Sequence, residues 1–464
     1  MKWTDLAILA IYLGAMLLIG FVSMKKVKSE EDFVLAGRSL NPIWMLLSIF
    51  ASWTGLSGLL GTPQYVYTYG IAGGWWWFTF PIGVFLMGIT LAKILRSRMH
   101  VTLPDIVDYD HSSKGIRVAA SIVTSWNYLA WTAAQVSGII LIITTFTDLD
   151  STASVVIAYL VIIAFTLLGG FRAVVHTDVL QAIVFLLIIG VVTPLIAVAN
   201  YDCVGAFRDA AAIPGFYSLF SSVPFGTMVT WWLLLPAGFI DTMAFQRVFA
   251  SKDDRSARRG ITSAFILMTV FGFILMFLGV VAKAILPSDI DPANTALMLF
   301  AEILPTGFIG LLVAALLGVA MSTASTTLIV CAATIERDIF SVFVPNTSGK
   351  TKLQMSRLFV LLFGLLALIV ALKIPSVTTL LMYGYSVYVP GLLLPVIAGT
   401  LRWKINNRYM LASILTGAVS AVLLIMAGEP VPASLGGLII SAIPFTVGIL
   451  QGKKQQSKHE ESRG

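Results

Sequence analysis

The sequence predicts an all-α integral membrane protein of about 13 transmembrane helices: two inverted five-helix repeats, with one N-terminal helix before them and two C-terminal helices after. Three observations carry this. Of the 464 residues, 58% are hydrophobic and 11% charged, where a soluble domain carries roughly 25% charged residues, and the mean hydropathy is +0.92. Apolar runs long enough to cross a hydrocarbon core, about 20 residues each, recur along the whole chain. Polar breaks fall in the second and the seventh of these runs, five apart. Little chain is left for a soluble catalytic domain, which argues against a sensor kinase, an ATP-driven pump or a membrane-tethered enzyme.

Taken in order, thirteen runs lie near 4–24, 42–68, 71–95, 116–146, 152–169, 174–200, 225–249, 261–286, 305–335, 356–373, 376–401, 409–427 and 432–451. A shorter stretch near 291–303 reads as a half-helix packed outside. The connections are short, and no shift in composition marks a second domain. The segments are an N-terminal helix and cytoplasmic loop (1–41), a ten-helix inverted-repeat core (42–408), two accessory helices (409–452) and a charged tail (453–464) expected to be disordered.

Suppose the amino terminus is outside and each run crosses once. Only Lys2, Arg208, Lys283 and Lys373 of the 30 lysines and arginines then fall outside, and the bias never reverses along the chain. The positive-inside rule therefore places the carboxyl terminus in the cytoplasm and the protein in the plasma (inner) membrane. The net charge of +7 is read as topology rather than as affinity for nucleic acid. Cys203 and Cys331 lie in different segments and make neither a disulfide framework nor a zinc signature. The first run is long enough to span, and its basic flank follows it, so it reads as a helix rather than a cleavable leader. His100, His111 and His459 lie in loops or the tail and His176 near a helix start. The sequence has no metalloprotease helix motif, phosphate loop or nucleophile elbow. It is expected not to be an enzyme and to use no organic cofactor.

Three places break the apolar pattern at membrane depth. In the second run, Ala51-Ser-Trp-Thr-Gly-Leu-Ser-Gly58 is followed by Gly61 and Pro63. Such a cluster either packs helices closely or unwinds locally, and unwound backbone in a bilayer is tolerated where it lines a cavity. In the seventh run, Pro236-Ala-Gly238 precedes Asp241. Proline removes a ladder hydrogen bond, and an intramembrane carboxylate marks a functional site unless it pairs structurally, here with Arg247 or a backbone donor. Because the breaks are five spans apart, the ten runs from 42 to 401 form two sets of five, the second upside down relative to the first. Interrupted helices at matching positions of inverted halves point to a secondary-transporter site near the midplane.

The third place is Met321-Ser-Thr-Ala-Ser-Thr-Thr327, with five hydroxyls in six positions. Two would satisfy themselves on the preceding turn, whereas five suggest a polar lining. Sodium is a hard cation and takes oxygen ligands, by extension of the rule for calcium and magnesium. Ser322 and Thr323 hydroxyls with the Val319 carbonyl supply three, and carbonyls of the first break the rest. Aromatic residues add a fourth signal. Tyr128, Trp131 and Gln135 share a helical face, Trp53 lies in the first break, and aromatic faces attract cations. Trp75-Trp76-Trp77, at the start of a span, reads as interface belt.

From about Asp5 to about Arg408 the chain resembles the sodium:solute symporter family. The resemblance rests on Asp32-Phe-Val-Leu-Ala-Gly-Arg-Ser39, on Gly169-Gly-Phe-Arg-Ala-Val-Val-His-Thr-Asp178 with Gln181, and on Met321–Thr327 with Glu336-Arg337-Asp338. It implies the inverted-repeat fold of the bacterial leucine transporter and Na+ as coupling ion. By position it implies a main sodium site on the carbonyls of Ala51, Thr54 and Val319 and the hydroxyls of Ser322 and Thr323. A second sodium, found in some members, would fall on Asp178, Ser322, Ser325 and Thr326, and would give a sodium Hill coefficient above one. Within the family, Ala51-Ser-Trp-Thr, Leu95-Arg-Ser-Arg with Val101-Thr102, Thr147-Asp-Leu-Asp150 and Phe245-Gln-Arg-Val248 look most like the choline-transporter branch. Trp53 and Trp131 would match two positions of that branch's aromatic cage. Asp241 departs from it, standing where the branch has another tryptophan, and would suit an amine bearing N–H groups. The proline-symporter branch, the obvious rival, has an acidic residue where this chain has Trp53.

The resulting expectation is a sodium-coupled symporter that imports a small nitrogen-containing solute, an amine or amino acid, by alternating access. The solute would bind among Trp53, Tyr128, Trp131, Gln135 and Asp241. The alternatives are a sodium/proline or a sodium/carboxylate (pantothenate-like) symporter, a solute-sensing module and a channel. The partners expected are the solute and the lipid bilayer, with no nucleic acid and no obligatory protein.

Overall fold

Helices account for nearly all of the computed structural model, which describes residues 3–24, 30–110, 112–147, 151–305, 307–428 and 430–461. The longer ones are α1 (Trp3–Met24), α2 (Pro42–Tyr69), α3 (Trp75–Thr90), α4 (Lys114–Phe146) and α5 (Ser151–Leu187). Three short helices then follow one another along the chain, α6 (Phe225–Trp232), α7 (Leu234–Phe239) and α8 (Thr242–Ala250). Then come α9 (Asp254–Ile285), α10 (Phe308–Ile335), α11 (Gly349–Lys373), α12 (Val377–Leu401), α13 (Asn407–Ala427) and α14 (Pro430–Glu461). The starts are set by side-chain caps that take up free helix N–H groups. Asn41 accepts from Ile43 N and Trp44 N ahead of Pro42, Asp253 from Ser256 N, and Ser113 from Ile116 N.

Eleven stretches of the described residues are long and apolar enough to cross a membrane. That number does not itself establish the thirteen expected spans. One stretch, Pro42–Thr90, runs through both α2 and α3, and the apolar part of 152–169 is too short to be counted. The runs 152–169 and 174–200 are joined within α5 at Gly170, whose φ of 55° and ψ of −158° break the helix. A Cβ there would lie 2.4 Å from the Phe33 ring, so glycine is required by both torsion and space. The expected half-helix is Thr295–Ile303, packed on α2 and α9. The tail departs from expectation: α14 continues through the charged residues to Glu461. An established helix propagates readily through Lys, Gln and Glu.

The core is organised around α10. The most apolar window of Phe308–Phe343 is 83% buried, against 22% for Trp3–Ser23 and 28% for Gly349–Lys373, so α10 is central and α1 and α11 peripheral. Small residues (Gly310, Ala314, Ala315, Gly318) line it and let α1, α4, α5 and α2 approach closely. Asp5 of α1 accepts from Gly310 N at 2.9 Å and fixes the start of α10.

Two ties join distant segments at one end of the bundle. Leu40, just before α2, donates to the Ala250 carbonyl and accepts from Lys252 N, both at 3.0 Å, around the end of α8. Asp105, in the short helix Pro104–Val107, pairs with Arg117 of α4 and with Arg337 beyond α10 (3.3 Å), while Arg117 also holds Asp338 at 2.7 Å.

Candidate ion and solute site

The first break lies in α2 at Gly55, with φ 41° and ψ 157°, a conformation essentially restricted to glycine. It cuts the hydrogen-bond ladder. Leu56 N donates to Gln135 Oε1 (3.0 Å) rather than to the carbonyl four residues back. That carbonyl, of Ser52, instead faces Thr323 Oγ1 at 2.8 Å, and the same hydroxyl lies 3.0 Å from the Val319 carbonyl. Ala51 and Thr54 are buried on the same turn, and the Thr54 hydroxyl bonds back to the Phe50 carbonyl. The break therefore meets the hydroxyl-rich turn of α10 in a buried, oxygen-lined spot suited to a small hard cation.

The second break separates α7 from α8. Asp241 caps α8, its Oδ1 accepting from Ala244 N at 2.7 Å, where a carboxylate also gains from the helix dipole. Trp53 Nε1 donates to the same oxygen (3.1 Å) and Tyr128 OH to Oδ2 (2.7 Å). The Tyr128 oxygen in turn accepts from Thr242 N (2.7 Å) and Met243 N (3.3 Å). On the other side of the gap, Tyr388 OH of α12 donates to the Ile240 carbonyl (2.6 Å). Two tyrosines from neighbouring helices thus satisfy the backbone groups that the discontinuity frees.

A third cluster lies beside the first. Asp178 of α5 accepts from Ser48 Oγ (2.5 Å) and Ser322 Oγ (2.6 Å). The fully buried Arg247 of α8 reaches into the same cluster. Its Nη2 lies 3.5 Å from Asp178 Oδ2 and donates to Ser52 Oγ (2.5 Å) and Thr326 Oγ1 (3.4 Å), while Nε donates to Ser48 Oγ (3.2 Å). Ser325 is turned away, its hydroxyl bonding back to the Met321 carbonyl at 2.7 Å. The sequence offered Arg247 as a structural partner of Asp241. The structure pairs it with Asp178, a partner that local spacing could not reveal.

Beside the first break is a narrow cavity of about 40 Å³. Its aromatic walls are Trp53, Trp76, Trp77, Phe80, Trp131 and Tyr385. Of the residues predicted to hold solute, Trp53 and Trp131 line it. Tyr128, Gln135 and Asp241 lie behind, engaged at the two breaks. Trp76 and Trp77, expected in an interface belt, are instead each 4% exposed. Their indoles donate to the Ser57 and Met268 carbonyls, and Gly58 and Gly61 leave room for their rings. A run of three tryptophans at a span start cannot by itself tell belt from cavity wall.

Discontinuous helices around an oxygen-lined spot and an adjoining cavity define a secondary transporter of the leucine-transporter type. A model of the sodium:solute symporter family matches residues 33–417, and the chain belongs to that family. Its coupling ion is Na+. The osmoregulated proline transporter OpuE of Bacillus subtilis is 28% identical, covering 94% of each chain. The sodium/proline symporter of Escherichia coli is 27% identical over 96% of this chain and 92% of its own. Among solved structures, a substrate-bound, outward-open Na+-coupled sialic acid symporter superposes with a TM-score of 0.82, at 18% identity, over 97% of this chain and 98% of that one. At that identity the likeness speaks for the fold.

Proposed function

We propose that this chain is a plasma-membrane (inner-membrane) importer with its amino terminus outside and its carboxyl terminus in the cytoplasm. In this reading one sodium ion, bound by the carbonyls of Ala51, Thr54 and Val319 and the hydroxyls of Ser322 and Thr323, drives uptake of a small nitrogen-containing solute of amino-acid type. The solute binds in the aromatic cavity beside Trp53 and Trp131. The observation that carries the ion site is the approach of Thr323 Oγ1 to both the Ser52 and Val319 carbonyls across the α2 break. Two relatives that match nearly the whole chain are named as proline transporters, which supports an amino-acid solute.

The second oxygen set, Asp178, Ser322, Ser325 and Thr326, is proposed as a cation site that the guanidinium of Arg247 serves in this state. A second sodium there would require Arg247 to withdraw, so a sodium Hill coefficient of one is expected.

The test is the melting temperature of the purified protein in sodium against potassium, with and without candidate amino acids, amines and carboxylates. Choline serves there as a ligand and never as the inert cation. A ligand that binds the native state raises the melting temperature by mass action. Sodium should raise it, and Thr323→Ala should abolish that rise. Equal melting in the two salts would overturn the ion site.

A further inference from the structure

We propose that the solute of the aromatic cavity is a compact zwitterion whose cationic nitrogen carries no N–H, that is, a fully N-alkylated amino acid. This rests on the symporter reading above and narrows it to a substrate class.

Phe80 links the walls into a continuous aromatic surface, with ring centroids 6.3 Å from Trp53, 5.8 Å from Trp131 and 5.8 Å from Tyr385; Trp131 and Tyr385 are themselves 5.8 Å apart. Aromatic faces stabilise a cation without needing it to donate. An ammonium bearing N–H groups needs acceptors as well, because each donor buried without one loses the hydrogen bond it made to water. Among the described residues the cavity lining includes no carboxylate, and Ser57 is its only aliphatic hydroxyl. Asp241, the residue that would suit an N–H-bearing amine, is not part of the lining and already holds Trp53 Nε1, Tyr128 OH and Ala244 N. The carbonyls of Ser57 and Met268 hold Trp76 and Trp77. A secondary ammonium brings two N–H groups and a primary one three. An alkylated nitrogen brings none.

Trp131 Nε1 and Tyr385 OH are buried, and neither has a hydrogen-bond partner among the described residues. Both residues line the cavity. Two unmatched donors in an otherwise apolar, aromatic site call for an acceptor on the ligand, and a carboxylate supplies it with charge assistance. Rings for the cation and two donors for the anion select a zwitterion over a simple quaternary amine.

The experiment uses the purified full-length protein in sodium and a series in which only nitrogen substitution changes: proline, N-methylproline and N,N-dimethylproline. Glycine betaine against choline isolates the carboxylate. Solute-induced melting shifts give affinities, and competition for sodium-driven uptake in proteoliposomes gives transport. From proline to N,N-dimethylproline the half-saturating concentration should fall about tenfold or more, the worth of one hydrogen bond to a charged group. Choline should bind about tenfold more weakly than glycine betaine. Trp131→Phe, which keeps a ring and removes the N–H, should shrink the betaine-over-choline preference, with folding verified by its sodium-dependent melting shift. Proline binding as well as its dimethyl form, or choline as well as betaine, would overturn the inference. So would a sodium shift to which no member of the series adds, an outcome that leaves the symporter reading standing. Absence of any sodium effect would count against that reading instead.

Discussion

Asp241 is gripped by a backbone amide, an indole and a phenol, and that grip sets its expected mutational behaviour. Asparagine caps helices about as well as aspartate, whereas alanine costs about 1 kcal/mol. Asp241→Asn is therefore expected to fold and to change the half-saturating solute concentration by less than about tenfold, while Asp241→Ala loses clearly more thermal stability. A severe affinity loss in Asp241→Asn with stability intact would show direct contact with the solute. Tyr128→Phe removes the acceptor for Thr242 N and Met243 N and should cost ~1–3 kcal/mol, read as a lower melting temperature with or without solute. The sequence made Asp241 conspicuous because a lone carboxylate in an apolar run is costly. It could not assign the role, since the indole and phenol that hold it are 188 and 113 residues away. The cavity wall was half legible for the same reason: Trp53 and Trp131 stood out within their spans, while Phe80 and Tyr385 look like ordinary core residues until the helices pack.

Both helix breaks were visible as elements because glycine, proline and hydroxyl residues cluster locally, and their separation by five spans gave the inverted architecture. What plugs them was not visible, because Gln135, Tyr128 and Tyr388 come from other helices. Gly55→Ala forces a side chain into a conformation that costs ~1–3 kcal/mol, and it should weaken or abolish the sodium-induced melting shift. Gln135→Leu leaves Leu56 N without its acceptor and should act in the same direction. The hydroxyl run of α10 was expected to form one lining, and its hydroxyls serve two neighbours. Thr323 faces the α2 break, and Ser322 and Thr326 face Asp178 and Arg247. Sodium titrations of uptake test the division. A Hill coefficient of one fits a guanidinium that stays on Asp178, and a coefficient near two would show that Arg247 gives way to a second ion.

At the scale of the whole molecule, the all-helical membrane architecture and the family were legible from hydropathy and a few motifs. The contacts that hold segments together at one end of the bundle were not. Asp105 is the clearest case. Burial alone would raise its carboxyl, but Arg337, Arg117 and the amides of Val101 and Thr102 outweigh that and hold it below the ordinary value of 3.8. A group depressed in the folded state adds stability above its unfolded value, and that stability is lost as pH falls through the folded one. The melting temperature should therefore drop on acidification below about pH 4, and Asp105→Asn should lose that component while melting lower at neutral pH. The pair of backbone hydrogen bonds around Leu40 has a different consequence. It staples the entry of the first interrupted helix to the exit of the second, so any exchange of access from one face of the membrane to the other either swings both halves on a common hinge or tears the staple open. Deuterium uptake at the Leu40 and Lys252 amides during turnover distinguishes a hinge, which keeps them protected, from a latch, which exposes them once per cycle.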